Sequence, residues 1–265
     1  MRAFRIAYDG ANYHGFQRQP HDETIEDELF DALDALGVAF ENGAPRGYAA
    51  AGRTDAGVSA RAQTVAFEAP EWLSPRAFNS ELTDSVRAWA SAEVDDEFHA
   101  TFDADERLYR YFLYAPTIDN ERMSKACRRL SGTAEYHNFT PDDDGTDRTI
   151  TLSPRRDGEF VILDCRASGF SRQLVRRLVT AVSAVGHGER PLSFLDRALD
   201  EEPLSGPDGI APADPEPLVL LDVRYSGVDF EVDETALESA HEIFNFRRRR
   251  HLAAARVADS LSPER

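Results

Sequence analysis

The order of short periodic segments constrains this chain most. Phe4, Ile6 and Tyr8 alternate with Arg5 and Ala7, the period-two pattern of a half-buried strand. Thr24 can N-cap a helix with Asp27 in the capping-box position, and Ile25, Leu29, Ala32, Leu33 and Leu36 follow at helical spacing. Residues 47–52 and 62–67 read as two strands, Ser74-Pro75 as a helix start and residues 86–94 as a further strand. The order is β-α-β-β-α-β, the split ferredoxin-like unit.

The second half repeats that order. Residues 107–114 alternate as a strand, and a helix is expected around residues 123–130. Residues 148–156 and 160–166 read as a hairpin about Asp157-Gly158. Phe170, Leu174, Val175, Leu178, Val182 and Val185 form the apolar stripe of a long helix. A shorter helix near residues 192–199 and a strand at 218–225 complete the order, while the acidic stretch from Pro141 to Asp147 reads as a solvated loop. The expected class is α+β: residues 1–105 form one ferredoxin-like (RRM-like) half and residues 106–230 a second. Residues 231–265 form a helical tail that holds the run Arg247 to Arg250.

Composition limits the setting. In 265 residues, 42% hydrophobic side chains suffice for a core. Acidic residues number 48 against 30 basic ones, a formal charge of -18. Lys125 is the only lysine, which leaves 29 arginines. An acidic surface nearly free of lysine fits a high-salt cytoplasm, where self-repulsion is screened within a few Å. Such a chain repels nucleic acid in dilute salt, but in molar salt a local arginine cluster still binds phosphate. No apolar run approaches the roughly 20 residues of a membrane span, and the first residues lack a signal-peptide layout. Cys127 and Cys165 cannot build a disulfide framework, and the seven histidines show no metal-ligand spacing. A cytoplasmic protein without a metal is expected.

The chemistry concentrates in Gly52-Arg53-Thr54-Asp55-Ala56-Gly57, which follows an expected strand. An aspartate between glycines can project from such a loop into a cleft as nucleophile or base. It can equally be an ordinary turn residue capping the backbone. The longer context resembles the tRNA pseudouridine synthase family of the TruA type. The run Gly52 to Ala60 (GRTDAGVSA) is similar to that family's signature around its essential aspartate. Tyr8-Asp9-Gly10, Tyr13 and Gly15-Phe16-Gln17-Arg18-Gln19 resemble its N-terminal motif. Phe98-His99-Ala100 with Arg107-Leu108-Tyr109-Arg110-Tyr111 resembles its central motif, and Phe170 with Leu174-Val175-Arg176 its C-terminal helix. Ser59, Phe16, Thr101 and Pro217 depart from the family's usual His, Trp, Arg and Gly.

The resemblance implies a pseudouridine synthase fold with a cleft between the two halves, acting as a homodimer on the anticodon stem-loop of tRNA. It implies isomerisation of uridine to pseudouridine with no cofactor, since atoms are conserved and no redox change occurs. By the same resemblance Asp55 is the catalytic carboxylate, as nucleophile or base, and Arg176 is its partner. Arg53 fills the space left by the flipped base, Tyr109 stacks on the uracil and Leu218 lines the site. From pattern alone, Tyr109 is an ordinary strand aromatic, Arg176 a solvated helix residue and Leu218 a buried strand residue. A silent RNA-binding module would not need these residues together, and a two-carboxylate hydrolase would need a second acid that no motif nominates. A polyanion-binding enzyme of this charge requires segregated charge, and Arg53, Arg61, Arg172, Arg176 and Arg177 are the candidates for a basic cleft.

Overall fold

The computed structural model describes residues 1–200 and 202–262. In the first hundred residues the elements are β1 (Arg2–Tyr8), α1 (Ile25–Ala35), β2 (Phe40–Glu41), β3 (Ala44–Pro45), β4 (Ala49–Ala50), β5 (Ser59–Phe67), α2 (Pro75–Phe78) and β6 (Val86–Glu93). There follow β7 (Glu106–Tyr114), α3 (Asn120–Arg129), β8 (Gly132–Glu135), β9 (Asp147–Asp157), β10 (Phe160–Ala167), α4 (Leu174–Gly186), α5 (Ser193–Ala198), β11 (Leu218–Arg224), β12 (Glu231–Val232) and α6 (Glu234–Leu261). The capping box forms as expected: the Thr24 hydroxyl accepts from the Asp27 amide and Asp27 accepts from the Thr24 amide.

Each half carries the ferredoxin-like strand order. The first runs β6-β1-β5-β4 and the second β11-β7-β10-β9, with every adjacent pair antiparallel. The halves share one sheet through a parallel contact of β11 with β5, Val219 opposite Ser59 and Leu220 opposite Ala60. The same edge of β5 therefore serves two partners. Its C-terminal part holds β4 through Val65 and Ala66, and its N-terminal end holds β11. Aromatic packing anchors the first half, where Phe4 stacks on Phe67 at 5.2 Å and meets Phe78 edge-on.

Several expectations need correction. The strand expected over residues 47–52 is only Ala49–Ala50: Gly47 takes a left-handed backbone before it, and β11 takes the N-terminal end of the same β5 edge at Ser59 and Ala60. Phe170 lies outside α4, since Gln173 takes a left-handed backbone (φ 60°) and the helix starts at Leu174. The helix at Ser74-Pro75 is a single turn. The tail opens with a strand, β12, which pairs with β6 before α6 begins. The β2–β3 hairpin was not expected, although its Asn42-Gly43 turn, with both residues at positive φ, is a recognised hairpin signal. No helix among the described residues is long and apolar enough to cross a membrane.

Candidate active site

The loop from Ala51 to Val58 leaves β4 and returns as β5 at the point where the two half-sheets meet. Because it has left the sheet, its backbone groups need other partners. The Thr54 carbonyl accepts from the Phe16 amide at 3.0 Å, and the Gly57 amide donates to the Tyr13 carbonyl at 3.2 Å. Gln63 donates its amide to the Gly52 carbonyl at 2.8 Å. The buried Tyr8 and Thr54 hydroxyls share a hydrogen bond of 2.8 Å. Two glycines are required by close approach. A Cβ on Gly10 would lie 2.1 Å from the Val58 carbonyl oxygen, and one on Gly57, at φ +81°, 2.8 Å from Pro215.

Arg107 clamps the loop from the other half. Its guanidinium is buried and donates to the carbonyls of Ala51 (2.9 Å from Nε), Thr101 (2.7 Å) and Ser168. Burial lowers its pKa, and among the described residues no carboxylate pairs with it. One cation thus ties the start of the aspartate loop to the segments before β7 and before α4. Sequence reasoning gave Arg107 no role. The signal was its place two residues before Tyr109 on one strand, which puts both on one face.

A cleft of about 1690 Å³ opens at this junction. Its lining includes Arg53, Asp55, Tyr109, Arg176 and Leu218, so all five predicted residues meet in one space. Asp55 Oδ2 accepts from Arg176 Nη1 at 3.0 Å, a contact across 121 positions of sequence. The pair is largely enclosed, with side-chain exposures of 25% and 13%, so water screens it only in part. Arg176 also donates from Nε to the Ala213 carbonyl at 2.6 Å, which fixes the plane of its guanidinium. Tyr109 is buried beside them and meets Phe170 edge-on at 5.2 Å. Burial pushes the Tyr109 hydroxyl well above the usual phenol range, with Arg107 pulling it down and Asp55 pushing it up. Arg53 is exposed on the loop, and Leu218 is buried at the start of β11.

Not every candidate arginine faces this space. Arg61 is exposed between buried Ala60 and Ala62 on β5 and does not line the cleft. Arg177 is one residue beyond Arg176, about 100° further round the helix. It therefore turns away to donate to the Ile210 carbonyl and to Gln173. Arg172 does line the cleft, with Asp142 of the acidic loop 3.3 Å from its Nε. Arg107 and Arg148 join the lining, as do the acidic Asp22, Glu26 and Asp142, so the segregation of charge is incomplete. Two of the departures are put to structural use. Ser59 accepts from the Gly10 amide at 3.1 Å, and the Thr101 hydroxyl donates to the Ala50 carbonyl.

The two-lobed ferredoxin-like sheet thus brings an Asp–Arg pair and a buried tyrosine together in one cleft at its junction, groups of the kind that acid–base or nucleophilic chemistry uses. Comparison with known proteins makes the class specific. Residues 126–226 match the family model described as tRNA pseudouridine synthase. The chain is 68% identical over 265 residues to tRNA pseudouridine synthase A of Natronomonas pharaonis, covering 99% of both chains. It is 54% identical to the protein of that name from Haloarcula marismortui, again over 99% of both. Identity is 37% to the Archaeoglobus fulgidus protein, over 89% of this chain and 88% of that one. The chain belongs to the tRNA pseudouridine synthase A family and is an isomerase of the pseudouridine synthase class. Its acid-rich, lysine-poor composition accords with the halophilic archaea that supply its high-identity relatives.

Proposed function

We propose that Asp55 is the catalytic carboxylate of a synthase that isomerises a uridine flipped out of the anticodon stem-loop of tRNA. The observation that carries this reading is the Asp55–Arg176 pair in the floor of a cleft also lined by Tyr109. C1′ and C6 of a stacked uridine are out of reach, so the nucleotide must leave the helix at a cost of a few kcal/mol. Tyr109 offers a ring for the uracil to stack on, worth roughly 1–3 kcal/mol. Arg53, exposed on the loop, fills the gap left in the RNA and holds its backbone. Leu218 supplies an apolar wall.

In the reaction the N1–C1′ bond breaks and a C1′–C5 bond forms. The hydrogen on C5 then leaves as a proton, and N1 ends protonated. Asp55 acts at the sugar, as nucleophile or as base, while the hydrogen bond from Arg176 holds its carboxylate in place in the cleft. The Tyr109 hydroxyl, kept protonated by burial, is a relay for the C5 proton, which it takes up as it passes its own proton on to water. The halves 1–105 and 106–230 form the two walls, and a homodimer binds one tRNA across both copies. The free thiols Cys127 and Cys165, both buried, suit a reducing cytoplasm.

The test is tritium release from tRNA labelled at C5 of uridine, in molar salt. Isomerisation liberates the label into water and Asp55→Asn stops it, whereas binding without release would remove the reading. Mapping the modified nucleotides in the product then decides the stem-loop assignment.

A further inference from the structure

The C-terminal helix departs from the body of the protein. Only Ala236 and Ala240 of its 28 residues are buried, and every described residue from Arg248 onward is exposed. At 1.5 Å per residue, the stretch from Arg248 to Leu261 extends about 21 Å beyond its last anchor. That anchor is Arg247, which pairs with Asp9 and donates to the Ser85 hydroxyl at 2.8 Å and to the Asp84 carbonyl at 3.2 Å. Asp9 directly follows β1 and precedes Gly10, which packs on Val58 and Ser59 of the catalytic loop. The arm therefore leaves from the same end of the sheet as Asp55.

Its charge is the reverse of the rest of the chain. No acid occurs between Glu242 and Asp259, a stretch that holds five arginines and His251 in a protein of net charge -18. Arg248, Arg249 and Arg250 are exposed and, among the described residues, form no ion pair, while Arg256 has only the exposed Asp259 at 3.7 Å. Fanned guanidinium groups on a projecting rod suit phosphates spaced along a nucleic-acid backbone. A second copy fits less well. The exposed Phe246 and Val257 could seat on an apolar seam, but Arg250 falls between them on the helix surface.

We propose that residues 248–258 are a docking arm for the phosphate backbone of the tRNA, outside the catalytic cleft. This rests on tRNA being the substrate. The arm adds affinity and register and takes no part in the chemistry. It meets phosphates alone, so it contributes no base specificity.

The test compares the full-length protein with R248Q/R249Q/R250Q/R256Q and with the corresponding Arg→Lys quadruple variant, all shown folded in molar KCl by circular dichroism. The probes are a full tRNA transcript and a short stem-loop that fills the cleft without reaching the arm. For tRNA, the glutamine variant should bind at least tenfold more weakly. The slope of log K against log salt should flatten by up to about 3.6, near 0.9 for each of the four phosphates that are no longer neutralised. The lysine variant should bind tRNA within threefold of wild type, which a merely structural role for arginine would not predict. The stem-loop should bind all three proteins alike, and turnover at saturating tRNA should stay within twofold. Unchanged tRNA affinity and slope in the glutamine variant would overturn the proposal. So would a shift in subunit mass by light scattering, which would assign the arm to a second copy. Wild-type protein that neither binds nor modifies tRNA would remove the underlying substrate reading together with the arm.

Discussion

The two halves share one topology, yet they treat the connection between their second and third strands in opposite ways. In the second half β9 runs for eleven residues and turns through Gly158 and Glu159 straight into β10. In the first, β4 is two residues long and residues 51–58 form the loop that carries Asp55. Both connections contain an aspartate close to a positive-φ glycine, Asp157-Gly158 in one and Asp55-Ala56-Gly57 in the other. What differs is the edge available to the third strand. The outer edge of β5 is taken at Ser59 and Ala60 by β11, so the chain after β4, which still bonds Thr64 through the Ala51 amide, cannot carry the ladder to the end of β5. Its polar groups turn instead to Phe16, Tyr13, Gln63 and Arg107, and its aspartate to Arg176. Sharing one sheet edge thus leaves the first connection a loop where the second is a hairpin.

Substitutions can break this contrast, beginning with the aspartates. Asp55→Asn should lower single-turnover isomerisation by many orders of magnitude while leaving tRNA affinity nearly intact, because on the proposed function it removes the reacting group and keeps the shape. Tritium release against binding of the same tRNA checks this. Arg176→Gln removes a charge-assisted bond worth about 1.5–3 kcal/mol, so the rate should fall roughly ten- to hundredfold. Arg176→Lys should recover only part of it, because a single ammonium cannot hold both Asp55 and the Ala213 carbonyl in the same plane.

Smaller effects follow from the groups around the pair. Tyr109→Phe should keep uridine capture and lose rate, whereas Tyr109→Leu should also weaken productive binding by roughly 1–3 kcal/mol. Equal rates for Phe and Tyr would exclude the hydroxyl from the slow step. Thr101→Val removes the bond that the Thr101 side chain makes to the Ala50 carbonyl. It should cost about 1 kcal/mol, a melting shift of roughly 2–4 °C by calorimetry in molar salt. Asp157→Asn, the counterpart of the first substitution, is exposed and should move neither rate nor stability by more than about 0.5 kcal/mol. A large effect there would mean that the second connection is more than a turn.

The local elements were legible because their causes are local. Alternation in Phe4, Ile6 and Tyr8, the Thr24–Asp27 capping box and the stripe from Leu174 to Val185 all act within a few residues, and each produced its element. The Asn42-Gly43 hairpin, though unexpected, has a cause just as local. The residues gathered in the cleft were visible only as a resemblance, since nothing in a strand tyrosine or a helix arginine announces its neighbours. Which of Arg172, Arg176 and Arg177 meets Asp55 depends on 100° steps around α4, on the left-handed Gln173 that sets where those steps begin, and on where β11 docks. The shortening of β4 and the burial of Arg107 among three carbonyls were likewise decided by tertiary structure. Both follow from unpaired backbone groups finding partners far away in sequence, a requirement that no window of neighbouring residues contains.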